Sequence, residues 1–340
     1  MYDFIKSDTK KICVHSLLNN EFLEFQSTVN RKTGEVNELE LIANNGGLEF
    51  KIINNQYLKF SGSLHKYWNQ TNTNYNDFTI SDYKKTLKTL QNNFDLNPFL
   101  YDLRNLEFGV NVSLPFKTEM FLNSIISFKG KEYELETFNG YGKMLRFRFN
   151  RYYEVKIYDK GLQYRLNENV LRFEIKVKKM NYLKSKNINV KNLTDLTKSE
   201  VIEGLKNQLL KTFKELLIYD ATININQIKR QTDKELLING RNPKYWQNLS
   251  NKNPNTYKKK RTRFRHINLI YGNSDIQKTV LTLIKSKLEI ITKNENQLKS
   301  VPDLTAFEIY SFMKCTRFNT SSIGLNQYHY TFGRLTLNQY

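Results

Sequence analysis

Three short segments alternate strictly between apolar and polar residues, and this alternation constrains the fold more than anything else in the chain. In LEFGVNV, Leu106, Phe108, Val110 and Val112 take one side while Glu107, Gly109 and Asn111 take the other. In VKIYDK, Val155 and Ile157 oppose Lys156, Tyr158 and Lys160; in LRFEIKV, Leu171, Phe173, Ile175 and Val177 oppose Arg172, Glu174 and Lys176. Successive side chains of a strand point to opposite faces, so a period of two means strands of an antiparallel sheet with one face on a core. If the polar sides coincide, that sheet displays two carboxylates, an amide, a tyrosine and four cations.

Other segments extend the pattern. Between residues 10 and 62, KICVHSL, EFLEF, VNELELI, LEFKII and YLKFSGS read as strands separated by turns at RKTGE, NNGG and NNQ. Ile80, Tyr83, Leu87, Leu90 and Phe94 then step by three and four, which predicts a helix. Strand signals resume through KEYELETF, MLRFRF, YYEVKIYDK and VLRFEIKVK, with a short helical insert near TEMFLNSII. After about residue 190 the texture turns helical. Thr197 with Glu200, and Ser274 with Gln277, have capping-box spacing, and a last helix is expected from Pro302-Asp303 through AFEIYSFM. The expected fold class is α+β, a mostly antiparallel sheet palm at 1–185 and a helical, basic region at 186–340.

Composition narrows the partner. Lys and Arg number 53 against 33 Asp and Glu, a formal net charge of +20 over 340 residues. That excess points to an anionic partner, most often nucleic acid, although an AT-rich coding genome also raises Lys, Asn, Ile, Tyr and Phe. No run approaches the ~18–20 apolar residues of a membrane span. Two distant cysteines and a start without a secretory signal predict a cytoplasmic, reducing location, and four scattered histidines argue against a zinc cluster.

The polar inventory suits phosphodiester chemistry. Carboxylates with water and phosphate hold Mg²⁺ or Mn²⁺, a tyrosine hydroxyl can attack phosphorus to form a covalent ester, and Lys and Arg hold the phosphate in line. The bland alternative is a solvated sheet face with cross-strand Glu–Lys and Glu–Arg pairs. A second cationic region lies in NTYKKKRTRFRHI, where Lys258, Lys259, Lys260, Arg261, Arg263 and Arg265 occur without an acid and Tyr257 and Phe264 interleave. Six phosphate contacts there would make DNA binding steeply salt-dependent, and the aromatics could stack on unpaired bases; a solvated charge run is the other reading.

KIYDKG at 156–161, followed by LRFEIK at 171–176, resembles the rolling-circle replication initiators (Rep proteins) of plasmids and filamentous phages, allied to the HUH endonucleases. GSLHKYWNQTNTNYNDF at 62–78, LRNLEFGVNV and NPKYWQNL at 242–249 follow in the family's order, so the resemblance spans roughly residues 55–270. It implies metal-dependent nicking and rejoining of one strand of origin DNA, with a host helicase as a further partner. On this resemblance Tyr158 is the nucleophile, Lys160 a phosphate-binding cation, and Glu107 and Glu174 metal- or water-positioning carboxylates. Asn111 and His65 are further metal candidates, Arg172 orients Glu174 or phosphate, and Lys156 and Lys176 line the DNA. No His-x-His pair occurs, and Tyr152, Tyr153 and Tyr164 lie near Tyr158. Two other readings are a nucleic-acid-binding protein of the same fold without catalysis, and a metal-dependent endonuclease using Glu107 and Glu174 to activate water.

Overall fold

The structure, a computed structural model, describes residues 1–293 apart from 12 and 139–140. Its strands are β1 (Tyr2–Thr9), β2 (Gln26–Val29), β3 (Val36–Asn45), β4 (Leu48–Ile53), β5 (Tyr57–Ser63), β6 (Asp102–Ser113), β7 (Ile125–Phe128), β8 (Glu134–Phe138), β9 (Tyr141–Phe149), β10 (Tyr153–Asp159), β11 (Val170–Val177) and β12 (Leu216–Ile218). The helices are α1 (Val14–Leu18), α2 (Leu64–Asn69), α3 (Ile80–Phe94), α4 (Thr118–Ser124), α5 (Lys160–Gln163), α6 (Asn181–Lys184), α7 (Ser199–Lys214), α8 (Gln231–Gly240), α9 (Pro243–Lys252), α10 (Pro254–Tyr271) and α11 (Ile276–Thr292). The class is α+β. Ten strands form one sheet in the order β2-β3-β4-β5-β1-β6-β11-β10-β9-β8, and β12 pairs with β7 in a small second sheet.

The three alternating segments lie side by side at the middle of the large sheet, β11 between β6 and β10, all antiparallel. Their apolar sides are fully buried, and Phe213 of α7 meets Phe173 edge-on at 5.3 Å. Val280, Ile284 and Leu288 of α11 belong to the same core. The change of texture near residue 185 is therefore no break in packing. A second apolar cluster gathers Leu237, Trp246, Tyr257, Phe264 and Ile267 of α8–α10 against Ile126 and Leu217 of the small sheet. The described residues form one compact unit.

Several sequence expectations shift. KICVHSL contains α1 rather than a strand, and EFLEF is turn and irregular chain. The first strand is β1, whose alternation is hidden by a register shift between Tyr2 and Ile5. Neither C-terminal capping box forms. Thr197 is the last residue of a 3₁₀ turn and donates to the Thr194 carbonyl, while α11 begins after Asp275 without a side-chain cap. The capping box that does form is Thr79–Asp82 at the start of α3. The helix expected from Pro302 lies outside the described residues.

Candidate active site

Strand register brings the three polar sides onto one face. Arg172 lies opposite Asn111, Lys176 opposite Glu107, Lys156 opposite Glu174 and Tyr158 opposite Arg172. Gly109 faces Glu174, where a Cβ would overlap the Phe173 carbonyl oxygen, so the glycine lets β6 and β11 close above the carboxylate.

This face is not solvated. Lys156 Nζ sits between two carboxylates, 3.0 Å from Glu107 Oε2 and 2.9 Å from Glu174 Oε1. Arg172 Nε donates to Glu174 Oε2 at 2.8 Å, and its Nη1 donates to Asn111 Oδ1 at 3.3 Å. Lys176 Nζ reaches Glu107 Oε1 at 2.6 Å. Arg172 Nη2 has no hydrogen-bond partner and lies 3.6 Å from Asp3 Oδ2. Asp3 enters from β1, where it also accepts from Ser63 Oγ and from Asn74 Nδ2.

Tyr158 stands at the end of this lattice, 5% exposed, its ring edge-on to Phe138 at 5.3 Å. Lys160 is not on the strand. It opens α5, capped by Asp159, yet its Nζ turns back to 3.5 Å from the Tyr158 hydroxyl and donates to Asn74 Oδ1 at 2.7 Å. The short helix also swings Tyr164 round, so that its hydroxyl meets the same Asn74 oxygen at 2.7 Å. Tyr164 thus joins the site although β10 stops at Asp159. The other neighbours do not: Tyr153 is stacked between Phe149 and Tyr182, and Tyr152 lies in the exposed turn before β10.

Burial and charge set the protonation states. Burial, reinforced by Arg172, brings Lys160 down to about 8. Burial and then Glu174 push the Tyr158 phenol well above its ordinary value. Burial would raise Glu174, but Lys156 and Arg172 outweigh it and hold the carboxyl well below the usual range. Lys156 shows the converse, with Glu174 and Glu107 overcoming burial to keep it charged. Burial lowers His65 to about 4, leaving a neutral imidazole bonded to Asn76 Oδ1 at 2.7 Å and stacked on Phe78.

These contacts test the expected metal site. A divalent cation is held by carboxylate charge that is not already neutralised, but all four oxygens of Glu107 and Glu174 are paired with Lys156, Lys176 or Arg172, and an ammonium lies between the two carboxylates. Asn111 spends its oxygen on Arg172 and its amide on the Tyr75 carbonyl. No group of three His, Cys, Asp or Glu side chains among the described residues could hold a metal. As folded, Glu107, Asn111 and Glu174, held by these cations, do not fit a divalent ion, and the fourth expected ligand, His65, spends its Nε2 on Asn76 Oδ1.

The basic tract is α10, and the helical period sorts its residues. Lys258, Lys259 and Lys260 are exposed, and Arg261 lies over the Tyr257 ring, 5.4 Å from its centroid. Arg263 is committed to Asp233, while Arg265 Nη2 donates to the Lys214 and Leu216 carbonyls at 2.9 and 3.1 Å. Tyr257 and Phe264 are buried against Trp246, so they are core residues and not platforms for bases.

Sequence reasoning missed Asp3 and Asn74. Asp3 was hidden by the shifted register of β1, and Asn74 lies in an irregular loop whose position no periodicity reveals. Among the described residues no helix is long and apolar enough to cross a membrane.

No family profile matches the chain, and no curated protein matches it in sequence. A solved structure of the rolling circle replication initiator protein from Geobacillus stearothermophilus is similar to 73% of this chain and to 94% of its own, with 14% identity and a TM-score of 0.36.

Proposed function

We propose that the protein initiates rolling-circle DNA replication by cutting one strand at an origin through Tyr158 and later rejoining it. The observation that carries this reading is the Tyr158 hydroxyl at 3.5 Å from Lys160 Nζ, with Arg172 opposite Tyr158 on the neighbouring strand. A phenol at the edge of a buried cationic lattice has what a phosphodiester needs: a nucleophile, a group to take its proton, and a donor for the phosphate oxygens.

In the step so read, the Tyr158 oxygen bonds to phosphorus and the bond from phosphorus to the 3′ oxygen breaks. The phenol proton passes to the neutral amine of Lys160 and from there to the departing 3′ oxygen, leaving a 3′ hydroxyl and a 5′ phosphotyrosine. Rejoining reverses the same transfers. Tyr158 is 5% exposed and Asn74 of the loop at 70–77 holds Lys160 Nζ, so in this reading DNA entering the site displaces Asn74 from Lys160. The exposed lysines of α10 supply the sequence-independent grip on surrounding phosphates.

The test is incubation with single-stranded origin DNA, with and without Mg²⁺ or Mn²⁺, followed by denaturing electrophoresis. A covalent adduct formed by wild type and absent from Tyr158→Phe supports the reading. Cleavage without an adduct would favour water activation, and tight binding without cleavage would favour a non-catalytic DNA-binding protein.

A further inference from the structure

Beside the loop that carries Asn74 lies an open cleft of about 600 Å³, formed between the β3–β4 turn, α2 and α3. Its lining bears no charged side chain. With no Lys, Arg or His it offers nothing to a phosphate or carboxylate, and with no Asp or Glu nothing to a cation. In a chain of net charge +20 that neutrality is local and specific.

The cleft offers instead aromatic surface and neutral hydrogen-bonding groups. Tyr67 and Trp68 of α2 form part of the wall, both half-buried. Tyr67 is fixed in place by Gly46 at its side, where a Cβ would come within 2.7 Å of the ring, and by Phe94 at 6.2 Å between centroids. Trp68, next along the helix, packs in part against the main core and also lines the cleft. Gln70 and Asn72 place exposed amides at the rim, and Thr86 and Thr89 of α3 line the opposite side. Amides present a donor and an acceptor in one plane, the pattern that pairs with the edge of a base, while an aromatic ring stacks on its face.

We infer that this cleft holds an unpaired nucleobase of the strand being cut. The inference rests on the strand-cutting reading of Tyr158, and the connection between the two sites is direct. Asn72 lines the cleft, and its carbonyl accepts from the Tyr164 hydroxyl at 3.4 Å. The same hydroxyl meets Asn74 Oδ1, the acceptor of Lys160. A base seated against Asn72 therefore sits across one loop wall from the scissile position, and its binding bears on the loop that carries Asn74. The base cleft would give the enzyme selectivity for single-stranded DNA, because a paired base cannot turn its edge into it.

The chain has two tryptophans, and Trp246 is wholly buried against α10, so the part of the fluorescence quenching that Trp68→Leu abolishes reports on Trp68. Full-length protein is titrated with short single-stranded homopolymers of deoxyadenosine, deoxycytidine and thymidine, and with an abasic strand of equal length. The expected result is quenching by at least one base-bearing strand and none by the abasic strand. Trp68→Leu should weaken binding of the quenching strand, read by anisotropy of a labelled strand, about tenfold, and Asn72→Ala should weaken it less, with circular dichroism unchanged. Equal quenching by the abasic strand, or equal affinity of Trp68→Leu, would overturn the inference. Quenching with no Tyr158 adduct on origin DNA would leave the base cleft standing and remove the cutting reading. An adduct without base-dependent quenching would do the reverse.

Discussion

Lys160 approaches Tyr158 from outside the strand that carries the tyrosine: its Nζ is 3.5 Å from the phenol oxygen and lies over the ring at 5.4 Å from the centroid. Two residues apart on a continuing strand they would share a face with their tips farther apart, and the turn into α5 brings them together. The contact joins a phenol whose proton is hard to remove to an amine that gives up its charge near neutral pH.

The first prediction follows from that amine. Lys160 is brought to about 8, so its neutral form, the one that accepts a proton, grows as pH rises through that value. Adduct formation on origin DNA should increase with pH up to about 8 and then level. Lys160→Met should lower the rate about a hundredfold and abolish that inflection, whereas removal of a mere phosphate-binding group would leave the inflection in place. The linkage to stability has a definite sign: between about 8 and the ordinary lysine value of 10.5 the unfolded chain binds more protons than the folded one. Folding stability should therefore rise with pH across that window, a rise absent from Lys160→Met in urea titrations.

Glu174 carries the second. Glu174→Gln leaves the charges of Lys156 and Arg172 buried with one partner fewer, and should cost about 3–5 kcal/mol in urea unfolding. Wild type should lose stability as pH falls below the ordinary glutamate value of 4.5, because there the unfolded chain takes up a proton that folded Glu174 refuses. The variant should lack that component. Since the carboxylates are already ion-paired, Glu107→Gln should leave the Mn²⁺ concentration giving half-maximal adduct formation unchanged; a shift of tenfold or more would show that Glu107 binds the metal.

Much of this site was legible because a strand enforces strict parity. Alternation put Glu107, Lys156, Arg172 and Glu174 each on the polar side of its own strand, and the register brings those sides onto one face. Parity says nothing of what lies above a face. It could not show that Asp3, displaced by the shifted register of β1, and Asn74, from a loop, would join the lattice, or that the face is buried and not the solvated one of the alternative reading. Lys160 reached its expected partner from a different element. In α10 the limit is of another kind: a run of charges masks the spacing of Tyr257, Phe264 and Ile267, which marks the buried face of an amphipathic helix.

Gly109 gives the third prediction. In Gly109→Ala the added methyl would meet the Phe173 carbonyl oxygen and lie 2.5 Å from Glu174 Cβ, both held by sheet pairing. Strand β6 must then move away from β11, at a cost of about 1–3 kcal/mol. The displacement acts on the backbone beneath Glu174, so the Lys156 and Arg172 contacts loosen with it. Adduct formation should fall together with stability, while the affinity of α10 for duplex DNA stays as in wild type.

The last prediction separates two roles inside one basic run. Lys258, Lys259 and Lys260 are exposed on α10, Lys260 with its Nζ on the Tyr245 hydroxyl at 3.0 Å, and replacing all three with Gln should weaken binding to unrelated DNA sequences alike. The slope of log affinity against log salt should fall by about 2–3, close to one for each phosphate that is no longer neutralised. Arg263→Gln should behave differently. Its guanidinium is held on both carboxylate oxygens of Asp233, a buried residue of α8, so the substitution leaves Asp233 without its partner. Thermal stability should drop with the salt slope unchanged, as expected of an arginine that fastens α10 to α8. A salt slope reduced by Arg263→Gln at unaltered stability would instead place that side chain on the DNA.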